Sequence, residues 1–349
     1  MPRRSSLRVA AAAALSTFAL ALAACGSDTT ADGTTTAAAA PAGGADYPIT
    51  IKHALGETVI EKKPERVATV AWGNHEVPLA LGIVPVGMSK AAWGDDDDDG
   101  VLPWVEDRLG ELHAKTPVLF DEADGIDFEA VADTQPDVIL AAYSGLTQEE
   151  YDKLSKIAPT VAYPDVPWAT SLEDTIRLDS EALGMAEQGD ELIAELDSEI
   201  KADFAAHPSL AGKKILFSYI DPKDTSQVGF YTTHDTRPGF LADLGSPVPS
   251  VVEEYSAKGP EFYQTVSAED TEAFADVDVF VTYGNTDGST LAALQKDPLL
   301  SKIPAIEKGA VAVLADSTPL AASANPSPLS IDATLDDYFQ VLSDAADKA

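Results

Sequence analysis

The stretch RVATVAWGNHEVPLALGIVPVGM, residues 66–88, decides the fold. Val67-Ala68-Thr69-Val70-Ala71 is a short apolar run rich in β-branched side chains, the pattern of a strand buried on both faces. Gly73-Asn74 breaks it, a helical segment runs on to Leu81-Gly82, and Val84 to Met88 supplies the next strand. Strand, turn, helix and strand in that order build a parallel sheet covered by helices.

The rhythm continues outward. Phe128 to Ala132 reads as a helix feeding Pro136-Asp137 and the strand Val138 to Ala142. The second half repeats it, with the strand Ile215 to Tyr219, a helix over Gly239 to Gly245, and Ala268 to Ala275 feeding Asp278 to Tyr283. The fold class is therefore α/β, two Rossmann-like lobes with parallel-type central sheets over residues 47–170 and 208–349. Between them, Leu172, Ile176, Leu183, Leu192, Ile193, Leu196, Ile200 and Phe204 follow helical spacing, interrupted only by Gly184 and Gly189. Ser171 with Asp174 makes a capped start and His207-Pro208 a stop, so one long helix over 171–207 is predicted to join the lobes.

The first 24 residues are different in kind. Arg3, Arg4 and Arg8 precede an apolar run from Val9 to Ala24 that is too short for a spanning helix between soluble domains, and it ends at Leu22-Ala23-Ala24-Cys25. That is a secretory signal over 1–24, and the only cysteine of the chain stands at its cleavage point, where no disulfide partner exists. Leu22-Ala23-Ala24-Cys25 resembles a lipobox, which implies a lipid on Cys25 and a place on the extracytoplasmic face of the cell membrane. Residues 25–46, nearly all Thr, Ala, Gly, Ser and Asp, read as a flexible tether.

Charge excludes several partners. The net charge of −35 becomes −38 once the three signal arginines leave, since the signal holds no acid. Such a surface repels nucleic acid and anionic headgroups and keeps an exported protein soluble, and a monomer is expected. The chain lacks a Gly-x-Ser-x-Gly elbow, a nucleophilic cysteine in the mature fold and a glycine-rich phosphate loop, so no catalytic residues are expected and a secreted hydrolase is the outside alternative. Neither cofactor nor resident metal is expected: His53, His75, His113, His207 and His234 are dispersed. The run Asp95 to Asp99 reads as a solvated loop whose neighbouring carboxylates do not converge and whose spacing is not that of a calcium loop.

Five segments together resemble one family: Pro64 to Thr69, Ala80 to Gly87, Pro136 to Leu140, Leu154 to Val161, and the tail Asn325-Pro326-Ser327-Pro328-Leu329-Ser330. The chain resembles the ferric-siderophore substrate-binding lipoproteins of ABC importers, a group that includes haem and vitamin B12 binders. The resemblance implies a cleft between two lobes joined by a backbone helix, no catalysis, and capture of a ferric siderophore for an ABC permease, with haem or cobalamin as the alternative ligand.

In open α/β sheets ligands sit beyond the carboxyl ends of strands. Loops there, among them the segment Tyr219 to Arg237, gather Trp72, Trp93, Trp168, Tyr143, Tyr231 and Tyr283 as candidate ligand-binding rings, whereas Trp104, before an amphipathic helix, reads as structural. Arg237 opens a helix and matches the family's arginine, so its guanidinium is expected to face an anionic group of the chelate. Arg177 and Lys115 are weaker candidates. So sparse a basic complement favours a near-neutral hydroxamate or mixed chelate. His75 and His234, in cleft loops, are the candidate haem ligands. The resemblance also implies one docking glutamate per lobe for the permease, Glu149 and Glu269, with Glu150 and Asp270 competing for the role.

Overall fold

A computed structural model describes residues 45–349; the signal segment 1–24, Cys25 and all but the end of the tether lie outside the described residues. The chain opens on an antiparallel hairpin, β1 (Ile49–His53) and β2 (Gly56–Ile60). Ile51 and Ile60 from it pack on Val67, Val138, Leu140 and Val161 of the first lobe. Every second residue of both strands near the hairpin's inner face is buried, the period-2 signature of a half-covered strand pair.

The first lobe holds β3 (Val67–Thr69), β4 (Gly87–Ser89), β5 (Val118–Phe120), β6 (Val138–Leu140) and β7 (Thr160–Val161), in the order β5-β4-β3-β6-β7. All four neighbouring pairs are parallel, as the buried Val, Ile and Leu runs predict. The order reverses direction between β3 and β6, so the loops after these two strands diverge and leave a crevice.

The second lobe holds β8 (Ile215–Asp221), β9 (Asp224–Tyr231), β10 (Tyr263–Ser267), β11 (Val279–Gly284) and β12 (Val311–Ala315), in the order β10-β9-β8-β11-β12. Here the expectation of a parallel-type sheet needs correction. β8, β11 and β12 are parallel, but β9 and β10 run antiparallel. Much of the segment read as a loop, Tyr219 to Arg237, is β9, whose first half is polar and exposed at the hairpin tip and so carries no apolar signal.

The single connecting helix is also corrected. It is two helices, Leu172–Ala182 and Ala186–Ala206, with Ser171 capping the first as predicted through Asp174 N at 3.0 Å. Gly184 has φ of +67°, its N–H donates to the Glu181 carbonyl, and the Met185 N–H donates to the Ser180 carbonyl. That pair of bonds is the glycine-dependent stop that closes a helix with a left-handed residue. The first helix buries Ile176, Asp179 and Ala182; the second buries Leu196 and Ile200 in the cluster that also holds Tyr338 and Phe339 of the last helix, Ser330–Ala346. Among the described residues no helix is long and apolar enough to cross a membrane.

Candidate functional site

At the crevice of the first lobe, Asn74 ties the two diverging loops together. Its Nδ2 donates to the Val70 carbonyl at 2.8 Å and the Tyr143 carbonyl at 2.9 Å, and its Oδ1 accepts from Tyr143 N at 2.9 Å. Asn74 is fully buried, so these bonds are made without competition from water and fix Tyr143 relative to Trp72. Glu122, just past β5, reaches across to accept from Ala71 N at 2.9 Å, beside Trp72. Burial pushes the Glu122 carboxyl up to about 7, against the pull of its Ala71 and Ser89 donors.

Trp168 stands edge-on to Tyr143, with ring centroids 5.4 Å apart at 75°. Its own φ is +61°, and Gly145 leaves the space its indole fills. Across the cleft floor, Asn325 Nδ2 donates to the Tyr143 hydroxyl at 3.1 Å, Thr236 donates to Asn325 Oδ1, and the Tyr143 and Thr236 hydroxyls lie 3.5 Å apart. This ring of three side chains joins the first lobe to the second. Trp72, Tyr143, Thr236 and Asn325 line a small cavity of about 20 Å³ there.

The second lobe supplies the rest. Arg237 Nε and Nη2 donate to the two Asp235 carboxylate oxygens, each at 2.7 Å. Its Nη1 donates to the Tyr283 hydroxyl at 3.1 Å, and its guanidinium carbon stands 3.6 Å from the centre of the Tyr231 ring. Burial works against the Arg237 charge, but the Asp235 bonds outweigh it and hold the guanidinium above its ordinary pKa, while burial pushes Tyr231 up to about 12. The guanidinium expected to face an anionic group of the chelate is already paired within the lobe with a carboxylate that is 2% exposed. Tyr283 in turn meets Trp93 of the first lobe edge-on at 5.6 Å, and Trp93 Nε1 donates to Asp316 Oδ1 at 3.3 Å. A larger hollow of about 730 Å³ opens at the carboxyl ends of β8, β11 and β12 and shares Tyr283 and Asp316 with this cluster.

Trp93, Tyr143, Trp168, Tyr231, Arg237 and Tyr283 therefore follow one line running through both lobes, and Trp72 lines the small cavity beside Tyr143. Asn74, Asp235, Thr236 and Asn325, which hold them, carry no signal in the sequence because each acts through a partner distant in the chain or through side-chain geometry. Trp104 is structural as expected, 5% exposed with its indole donating to Glu76 Oε1 at 2.8 Å.

Other expectations fare differently. Arg177 pairs with Glu173 of its own helix and with Asp190 of the second connecting helix, and Lys115 is exposed before β5. His75 is buried, which drives its pKa down to about 4, and His234 is half-buried with its Nε2 donating to the Ser256 carbonyl at 3.1 Å. Glu149 is exposed and pairs with Lys153 at 2.8 Å, whereas Glu150 is used in a capping box with Thr147. Glu269 is exposed on the second lobe, as is Asp270. The acidic run is not strand-like: the chain turns so that oxygens of Asp95, Asp97 and Asp99 lie within 4.8 Å of one another. Asp95 accepts from the N–H groups of Asp97, Asp98 and Gly100, and Gly100 takes φ of +91°. Acids at alternate positions, then Gly100, then Glu106, do follow calcium-loop spacing, which corrects the sequence reading.

Two α/β lobes around a cleft rimmed by rings from both define a receptor for a small solute. The chain belongs to the periplasmic binding protein family, which it matches over residues 67–318. Its fold superposes with a TM-score of 0.82 on PiaA of Streptococcus pneumoniae TIGR4 crystallised in complex with ferrichrome, which is 51% identical over 86% of this chain and 99% of that one. In Bacillus subtilis (strain 168), the "Probable siderophore-binding lipoprotein YfiY" is 29% identical over 67% of each chain. The "Iron(3+)-hydroxamate-binding protein YxeB" of the same organism is 24% identical over 75% of this chain and 76% of its own. These relatives are binding proteins, and the chain is a binding protein and not an enzyme.

Proposed function

We propose that this chain is an extracytoplasmic lipoprotein, anchored through Cys25, that captures a ferric siderophore in its cleft and delivers it to an ABC permease. The observation that carries the reading is the unbroken contact line from Trp168 and Tyr143 through Thr236 to Arg237, Tyr283 and Trp93, drawn from both lobes. Rigid rings with polar edges suit a compact chelate whose surface is apolar and whose iron-bound oxygens accept hydrogen bonds. The likeness to a protein crystallised with ferrichrome supports a hydroxamate ligand.

Tryptophan fluorescence of the mature chain tests this. Ferrichrome at submicromolar concentration should quench it, and a panel of ferric hydroxamates, catecholates and carboxylates that leaves it unchanged, while haem or cobalamin quenches, overturns the ligand class. Glu149 and Glu269, exposed on separate lobes, are the proposed docking points. Glu149→Ala together with Glu269→Ala should abolish ferrichrome uptake in cells while leaving its affinity in solution unchanged; uptake at the normal rate excludes the assignment.

A further inference from the structure

Arg237 offers only donors, and most of them are already used within the protein. Of its five N–H groups three are used, two on Asp235 and one on Tyr283, and the face of the guanidinium lies on Tyr231. Asp235 is 2% exposed and Arg237 17%, so the pair forms away from bulk water, where charge matching is strongest. Asp235 also caps the helix Thr236–Asp243 by accepting from Arg237 N at 3.0 Å, which locks its carboxylate in place.

We infer that Asp235 is a specificity-determining residue: by cancelling the charge of Arg237 it makes the cleft select chelates without net charge over anionic ones. This rests on the proposal that the cleft holds a ferric siderophore. With its charge matched, Arg237 acts as a holder of phenols. Because it can only donate to the Tyr283 hydroxyl, Tyr283 keeps its own proton to give to an acceptor oxygen of the ligand. A neutral ferric trihydroxamate supplies such oxygens. A trianionic chelate meets no unmatched cation here and must also approach a chain of formal charge −35.

The test compares ferrichrome with ferrichrome A, which carries three carboxylates on the same scaffold. Asp235→Asn keeps the size of the side chain and caps a helix equally well, but frees the guanidinium charge. Fluorescence titration should show the ratio of the two dissociation constants moving toward ferrichrome A by about tenfold or more, since an unmatched charge in a partly buried site acts on each carboxylate. Asp235→Asn combined with Arg237→Gln should return the ratio to the wild-type value. Asp235→Ser, which also caps, repeats the measurement should the Asn variant not fold. An equal loss for both ligands with an unchanged ratio overturns the inference and leaves Asp235 a structural cap. Failure of the wild type to bind either ligand sinks the siderophore reading itself, and the inference with it.

Discussion

Trp104→Phe removes the indole N–H that Glu76 Oε1 accepts at 2.8 Å. Glu76 is 1% exposed, and its other oxygen accepts from Leu329 N at 3.0 Å, with Ser327 and Ser330 as further donors, so one carboxylate of the first lobe is held by the segment that starts the last helix of the second. Burial pushes this carboxyl from its ordinary 4.5 up to about 7, and the donors act in the opposite direction. An acid whose folded pKa lies above its unfolded one costs stability as pH rises between the two values, here about 3 kcal/mol that is present below pH 4.5 and gone above about pH 7. In the ionised state the indole bond is charge-assisted and contributes about 1.5–3 kcal/mol; in the protonated state it is an ordinary bond of about 0.5–1.5 kcal/mol. The lost ring volume costs the same in both. Trp104→Phe should therefore destabilise the protein by about 1 kcal/mol more at about pH 8 than at about pH 5. Urea denaturation followed by circular dichroism at the two pH values reads this directly. An identical penalty at both would show that Glu76 does not change charge across that range, and the reasoning would fail.

A methyl group on Gly145 would overlap Trp168 Nε1, so Gly145→Ala should push the indole off Tyr143 and weaken ferrichrome binding by about tenfold, with an unchanged affinity in the same titration removing Trp168 from the site. At Gly184, φ of +67° and a Tyr47 hydroxyl that occupies the space a methyl group would need predict that Gly184→Ala costs about 1–3 kcal/mol in urea denaturation; a loss below that range counts against the helix stop. The Asp95, Asp97 and Asp99 carboxylates repel one another at their separation within 4.8 Å. Asp97→Asn and millimolar calcium relieve the same repulsion, so each should raise the melting temperature and the two effects should not add; strict additivity refutes a shared origin.

How much of this was legible follows from what kind of signal each element carries. Val67–Thr69, Val138–Leu140 and Val279–Gly284 were visible because strands buried on both faces need unbroken apolar runs. β9 was not, since its exposed first half, Asp224-Thr225-Ser226-Gln227, is as polar as any loop. The helix break was written in Gly184, but helical spacing on either side masked it, and only the left-handed φ and the Met185 to Ser180 bond reveal the stop. The rings of the cleft could be located because loops following strands share an edge of the sheet. What holds them could not. Tyr143 meets Asn325 across 182 positions of chain, and the pairing of Arg237 with Asp235 depends on a rotamer that no spacing rule dictates.

The side-chain ring of Tyr143, Thr236 and Asn325 bears on how such a receptor signals that it is loaded. With the halves already fastened at the base, an incoming chelate has little rotation left to drive, and its binding energy goes into touching the rim instead of into shutting a jaw. A transporter inspecting this protein would then have to sense the cargo or the small loops around it, because the angle between the two halves reports almost nothing.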